Sequence, residues 1–396
     1  MAVAGTVSRK HCPSYNGSVS ENEKPNPSRR RAPSTQTKIE ALLTRSRALY
    51  GMDSEKAQAL AVQAQQLSET YEYKPGLIDS ILLQAGCLSD MLQYAEAMAL
   101  ALRAMQLSRV IGSDFLTAKC HAFICVQFRS LGDYANALLH ARRMLTICEA
   151  GADHAGVGTA GCLIGMIYEF QGDFSAARRE FDAALALAEI NAIPELEIRA
   201  NLAIGGFLDV NHDRPGAIRA LLRCIQLCKA SADRPTRWQW QTNRSLIALT
   251  QSDLGAAYIN SGQLAKAREC LSESFAYFRA SRNLRLQCFL LINLSDVAFQ
   301  EGDAEPAYRL AKRALARVRR TGDVRLEIYA QEAIGKALCL SGKREQGHEA
   351  LTLSLKLAQN SGAHELLPQL NLTLSQWPPL TRAVPKRRTP GAKSKK

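Results

Sequence analysis

The chain has 396 residues, is 46% hydrophobic but only 6% aromatic, and carries a formal net charge of +13. No run of 18 apolar residues occurs and the N-terminus has no apolar signal core, so neither a transmembrane helix nor a secretory leader is expected. Eleven cysteines, odd in number and scattered singly, follow no disulfide framework and fit reduced thiols in the cytoplasm.

The charge is unevenly spread. Residues 1–37 hold +4 and residues 378–396 hold +7, which leaves the stretch between them near +2. Basic tails of this kind are expected to make at most weak, non-specific contact with nucleic acid or an anionic surface. The body does not have the charge of a nucleic-acid-binding solenoid.

Residues 1–37 are rich in Ser, Pro and Asn, include Arg29-Arg30-Arg31, and read as a disordered tail. Helical periodicity starts near Ile39. A turn position then recurs at Met52, Leu92, Gly132, Gly172, His212, Gly262, Gly302 and Gly342. The step is 40 residues except between His212 and Gly262, where it is 50. A fixed period of this size predicts an all-α superhelical solenoid of eight helix-turn-helix units over 38–377. Five of the eight turn positions are Gly, as a left-handed turn favours. Met52, Leu92 and His212 lack it, and their turns are expected to differ in shape.

Five residues after each turn stands a small residue: Ala57, Ala97, Ala137, Ala177, Ala217, Ala267, Ala307 and Gly347. A small side chain there lets the second helix of each pair approach the first closely. Twelve residues after the turn, Ala64, Ala104, Ala184 and Ala314 form a second column, interrupted by Met144, Cys224, Ser274 and Ser354. About 20 residues after it, Gly112, Gly151, Gly322 and Gly362 read as helix C-caps, with Asp114, Asp153 and Asp323 as N-caps of the next helix. The ten extra residues fall around Ala232–Trp240 and predict either a bulging loop or an early start to the next helix. Trp238 and Trp240 in that insertion are candidate partner contacts, weighed against simple local packing. A capping helix is expected over His364–Trp377, followed by a disordered basic tail.

Other chemical motifs are weak. Gly156-Val157-Gly158-Thr159-Ala160-Gly161 matches G-x-G-x-x-G, but no strand precedes it, so a flexible interhelical loop is expected and no cofactor. Gly342-Lys343 lacks the earlier Gly and the Ser/Thr of a phosphate loop. Cys224/Cys228 and His121/Cys125 each put two metal-ligand types four apart, where a structural zinc site needs four. No metal and no catalytic residue are expected.

The repeat columns resemble the tetratricopeptide repeat. The best copy runs Gly165, Tyr168, Gly172, Phe174, Ala177, Phe181, Ala184, and a second runs Gly255, Tyr258, Gly262, Leu264, Ala267. The period of 40 is longer than the family's usual one of about 34, and the family's terminal Pro is absent, as in the longer-loop subtype of bacterial signalling proteins. The resemblance implies a non-catalytic scaffold that binds a protein or peptide in a concave groove lined by the first helix of each pair. Mapped onto this chain, the groove candidates are Lys119, Arg129, Glu169, Phe170, Arg199, Asn260, Phe289, Asp296, Phe299, Tyr329, Glu332 and Lys336. Asp79, Leu82, Asp90 and Asp209 continue the row. Most such positions on a helix are solvated faces rather than contacts. The family's chaperone-type carboxylate clamp is missing, since its Asn positions are Gly86, Val126, Met166, Gly206, Ala256, Asp296 and Lys336. The tail residues Leu380-Thr381 and Arg387-Arg388 resemble the opening of a diguanylate cyclase domain, which implies as an alternative the sensor half of such a protein without its enzyme.

Overall fold

A computed structural model describes residues 34–231, 238, 242–281, 283–319 and 323–378, and every element among them is helical. The first helices of the pairs are α1 (Thr35–Leu49), α3 (Lys74–Asp90), α5 (Asp114–Ser130), α7 (His154–Phe170), α9 (Pro194–Val210), α11 (Asn243–Asn260), α13 (Leu284–Gln300) and α15 (Val324–Leu340). The second helices are α2 (Ser54–Thr70), α4 (Tyr94–Ile111), α6 (Tyr134–Ala150), α8 (Phe174–Ile190), α10 (Arg214–Ala230), α12 (Leu264–Ala280), α14 (Ala304–Val318) and α16 (Arg344–Ser361). A 3₁₀ turn (His364–Leu366) and α17 (Leu367–Gln376) cover the last pair. Of the expected tails, residues 1–33 and 379–396, with the cyclase-like residues, lie outside the described residues, while residues 35–37, expected in the N-terminal tail, begin α1.

Several reversals share the same parts, although Gln93, Gln263, Asp303 and Lys343 give their helices no side-chain cap. In the turn after α7, Gly172 adopts φ +82° and the Asp173 amide donates back to the Tyr168 carbonyl at 2.9 Å. The Asp173 carboxylate then accepts from the Ala176 amide, also at 2.9 Å. Orphan groups at both helix ends are thus satisfied within a few residues.

The missing glycines do not change this turn as expected. Leu92 and His212 take the same left-handed conformation, at φ +66° and +65°. In the first unit the left-handed residue is Gly51, one place before Met52. The Leu92 side chain is 3% exposed and packs with Tyr94, Leu326 and Ala330, so apolar burial offsets the backbone strain. Of the expected C-caps, Gly112 and Gly362 are left-handed. Gly151 is not: the reversal needs the residue directly before the next N-cap, and that is Ala152, at φ +50°. For the same reason the N-cap of α5 is Ser113 rather than Asp114. Asp153 and Asp323 cap α7 and α15 as expected. Gly322 lies outside the described residues.

The small-residue columns are the seams of the pairs. Ala57, Ala97, Ala137, Ala177, Ala217, Ala267 and Ala307 are all fully buried. Polar members of the second column donate across the seam: Ser274 Oγ to the Ala248 carbonyl at 2.6 Å and Ser354 Oγ to that of Ile328 at 2.9 Å. On the facing helix, Gly335 allows a backbone approach, because an added Cβ would lie 2.9 Å from the Gly347 carbonyl oxygen.

Gly156–Gly161, expected to be a loop, is instead part of α7. Its glycines serve close packing: a Cβ on Gly158 would lie 2.3 Å from Leu196 Cδ2, and one on Gly156 2.8 Å from the Trp238 ring. The insertion holds α10 and α11 apart in sequence, and α11 does not start early.

The solenoid also packs on itself. Tyr94 Oη donates to Asp323 Oδ2 at 2.7 Å across 229 residues, and Arg325 Nη1 donates to Tyr134 Oη at 3.1 Å across 191. The Ser54 amide reaches the Ser281 carbonyl at 3.3 Å. From the start of α4 to the start of α15 is eleven helices, so one superhelical turn takes five and a half pairs and meets the next.

Candidate binding groove

The first helices carry the groove candidates, and most of these are engaged with one another or with neighbours. At the N-terminal end Asp79 on α3 receives Lys119 Nζ of α5 at 2.6 Å and Arg47 of α1 at 2.5 Å. Lys119 is only 5% exposed, so its ammonium is committed to that pair. One pair further on, Arg199 donates to the Trp238 carbonyl at 3.0 Å. The Trp238 indole donates to Asp153 Oδ2 at 3.0 Å and meets Phe115 edge-on at 5.4 Å. The insertion thus places one indole, 7% exposed, against α5 and α7. Trp240 lies outside the described residues.

A second group joins successive turns. Phe170 is sandwiched between two guanidinium groups, Arg325 at 4.1 Å and Arg129 at 5.5 Å from the ring centroid. Arg325 also donates to Tyr329 Oη at 2.9 Å, and Arg129 to Met166 Sδ at 2.8 Å. Burial brings Arg129 down to about 10, with Arg285 and Arg325 pushing the same way. Asp90 is raised to about 7 by burial, against Arg285 and a hydrogen bond from Asn283. Glu169 is buried beside this group.

A third group closes the C-terminal end. Lys336 Nζ lies 2.5 Å from Asp296 Oδ1, 3.9 Å from Glu332 and 5.6 Å above the Phe299 ring. Burial alone would pull the ammonium down; Asp296 and Glu332 more than reverse that. Glu332 Oε1 accepts from Thr373 of α17 at 3.0 Å, which ties the cap to the groove wall.

Asn260 Nδ2 donates to Asp209 Oδ2 at 2.8 Å. Next to it, Leu249 and Asp253 of α11, Arg285, Leu286 and Phe289 of α13, and Leu326 of α15 line a cavity of about 170 Å³. Burial, and then the neighbouring Asp209 carboxylate, raise Asp253 to about 7.

The sequence reading missed Asp253, Arg285 and Arg325, and read Asp323 only as a helix cap. Arg285 and Arg325 share a column with Phe115, each 17 residues before its turn, and Asp253 sits in a column otherwise uncharged. Those columns were open to inspection, but contacts across superhelical turns have no fixed sequence offset.

The two-ligand metal candidates point elsewhere. His121 Nδ1 lies 3.1 Å from His140 Nδ1, and burial, then His140, bring His121 to about 4. Cys224 Sγ lies 3.3 Å from Thr250 Oγ1. No cluster of three or more metal-ligating side chains occurs among the described residues.

No family model matches the chain, and no curated protein does. Solved structures do. The chain superposes on a Rap protein complexed with competence and sporulation factor with a TM-score of 0.53 at 12% identity, covering 87% of this chain and 99% of that one. It superposes on the APC/C hetero-tetramer Cut9–Hcn1 with a TM-score of 0.57 at 18% identity, covering 86% of this chain and 58% of that one. The fold is that of a tetratricopeptide-type solenoid. No described helix is long and apolar enough to cross a membrane.

Proposed function

We propose that this tetratricopeptide-type chain is a non-catalytic adaptor that holds a protein segment or peptide in its groove, in signalling or regulation in the cytoplasm. The observation that carries the reading is the cavity between α11, α13 and α15, whose charged and apolar walls interrupt a row of side chains mostly paired with one another. Preformed curvature lowers the ordering cost of an extended ligand, because the wall is already fixed by the seams between helices. A Rap protein of the same fold is found complexed with competence and sporulation factor, which adds support. No disulfide joins the ten cysteines among the described residues, which is compatible with a reducing compartment.

The test is selection of a displayed peptide library on the full chain, followed by photo-crosslinking and mass spectrometry. Crosslinks should fall on α11, α13 and α15. Crosslinks confined to the outward faces of second helices such as α8 and α12, or no selectable binder, would overturn the reading.

A further inference from the structure

Asp253 is out of place by the logic of its own repeat. The equivalent positions, nine before each turn, are Leu43, Leu83, Phe123, Leu163, Ala203, Asn293 and Ala333, all uncharged. Here a carboxylate borders the cavity between α11, α13 and α15. Among the described residues no hydrogen bond or ion pair reaches it. The charge that acts on it is a like one, Asp209. Asp209 is itself incompletely satisfied: Oδ2 takes the Asn260 amide, while Oδ1 is buried without a hydrogen-bond partner.

Among the described residues the cation in the cavity wall is engaged elsewhere. Arg285 Nε lies 3.6 Å from Asp323 Oδ2, at the contact between superhelical turns. Arg214 and His212 partly offset the charge of Asp209, but none of the described cations does so for Asp253, and an entering cation would relieve the cost of its burial beside a like charge. The remaining walls suit the rest of a basic side chain. Leu249, Leu286 and Leu326 can cover its methylene stem, and Phe289 offers a ring face to its charge. The cavity has room for one long side chain, not for a helix or strand.

We infer that this cavity is the anchor pocket for a positively charged side chain, lysine or arginine, of the bound segment, with Asp253 as its counter-ion. The inference rests on the groove-binding reading above and names the chemistry of the ligand.

The test uses the immobilised full chain and four pools of N-acetylated hexapeptide amides. The fourth residue is fixed as Lys, Arg, norleucine or Glu, and the others are randomised. The Lys or Arg pool should be retained at least about tenfold over norleucine, with Glu retained least; which of the two leads distinguishes ammonium from guanidinium. In Asp253→Asn, which keeps size and shape, the ratio of basic pool to norleucine should fall to within twofold. Circular dichroism checks that the variant is folded. Equal retention of basic and norleucine pools, or discrimination that survives in folded Asp253→Asn, would overturn the pocket and leave the groove reading standing. Retention of no pool would overturn both. If Asp253→Asn did not fold, Phe289→Leu gives the same decision: it should lower the basic-to-norleucine ratio at least threefold, and an unchanged ratio would overturn the pocket.

Discussion

Replacing the left-handed Leu92 and His212 by glycine should have opposite effects. Both residues sit at φ near +65°, where a side chain with a Cβ costs about 1–2 kcal/mol and glycine does not. His212 is exposed, and its ring makes only a marginal contact with Arg214 at 3.4 Å. His212→Gly should therefore stabilise by about 1 kcal/mol after the extra entropy of glycine in the unfolded chain is deducted. Leu92 is 3% exposed and packs on α15 of the next superhelical turn. Deleting a buried Leu side chain costs about 2–5 kcal/mol, which exceeds the relieved strain. Leu92→Gly should be destabilised by about 1–3 kcal/mol. Urea midpoints followed by circular dichroism on the full chain read both. If Leu92→Gly stabilises as His212→Gly does, the contact between turns contributes nothing, and the account of superhelical closure fails.

Removing the hydroxyl in Tyr94→Phe takes a donor from Asp323, which is 2% exposed, and should cost about 1–3 kcal/mol. Amide exchange at the start of α15 should rise with it; unchanged exchange there would refute the role of this bond in joining the turns. Ala177→Leu inserts bulk into a fully buried seam beside Phe181 and Phe207 and should lower the urea midpoint by the equivalent of about 1–3 kcal/mol. An unchanged midpoint would refute the assigned register. Asp253 has a folded value of about 7 against about 4 unfolded, so the folded state holds the extra proton between those limits. Its contribution to stability is fullest below pH 4 and is lost as pH rises to 7. Asp253→Asn should thus stabilise by about 1–2 kcal/mol at pH 8, discounted from the full shift because the group faces a cavity, and by nothing at pH 4. Equal gains at both pH values would contradict this. His121 runs the other way. Its folded value of about 4 lies below its unfolded one, so stability is present above about pH 6.5 and falls as pH drops towards 4, an effect His121→Gln should abolish in an acid titration.

Much of the fold is legible in the sequence because a repeat states its rule many times. The alanine column from Ala57 to Ala307 predicts the seams, and the seams are where those residues lie buried. Asp153 and Asp323 predict helix starts because a carboxylate at that place satisfies local amides, and locality is what sequence encodes directly. Turn shape was only partly legible. Glycine reports a left-handed residue, but its absence at Leu92 does not exclude one, since burial against a distant helix compensates. The same limit applies to Gly156–Gly161, whose glycines answer to Leu196 and Trp238 rather than to a loop.

The sequence by itself determined the helix pairs, their length and their phase, because each depends on contacts within one unit or with the next. Tertiary structure alone decided which groove residues are already engaged and which face a space. That depends on superhelical pitch, the sum of small rotations at every seam, which brings Tyr94 to Asp323 and Arg325 to Phe170. The same pitch pairs Arg285 with Asp323 and leaves Asp253 facing the cavity without an ion pair among the described residues.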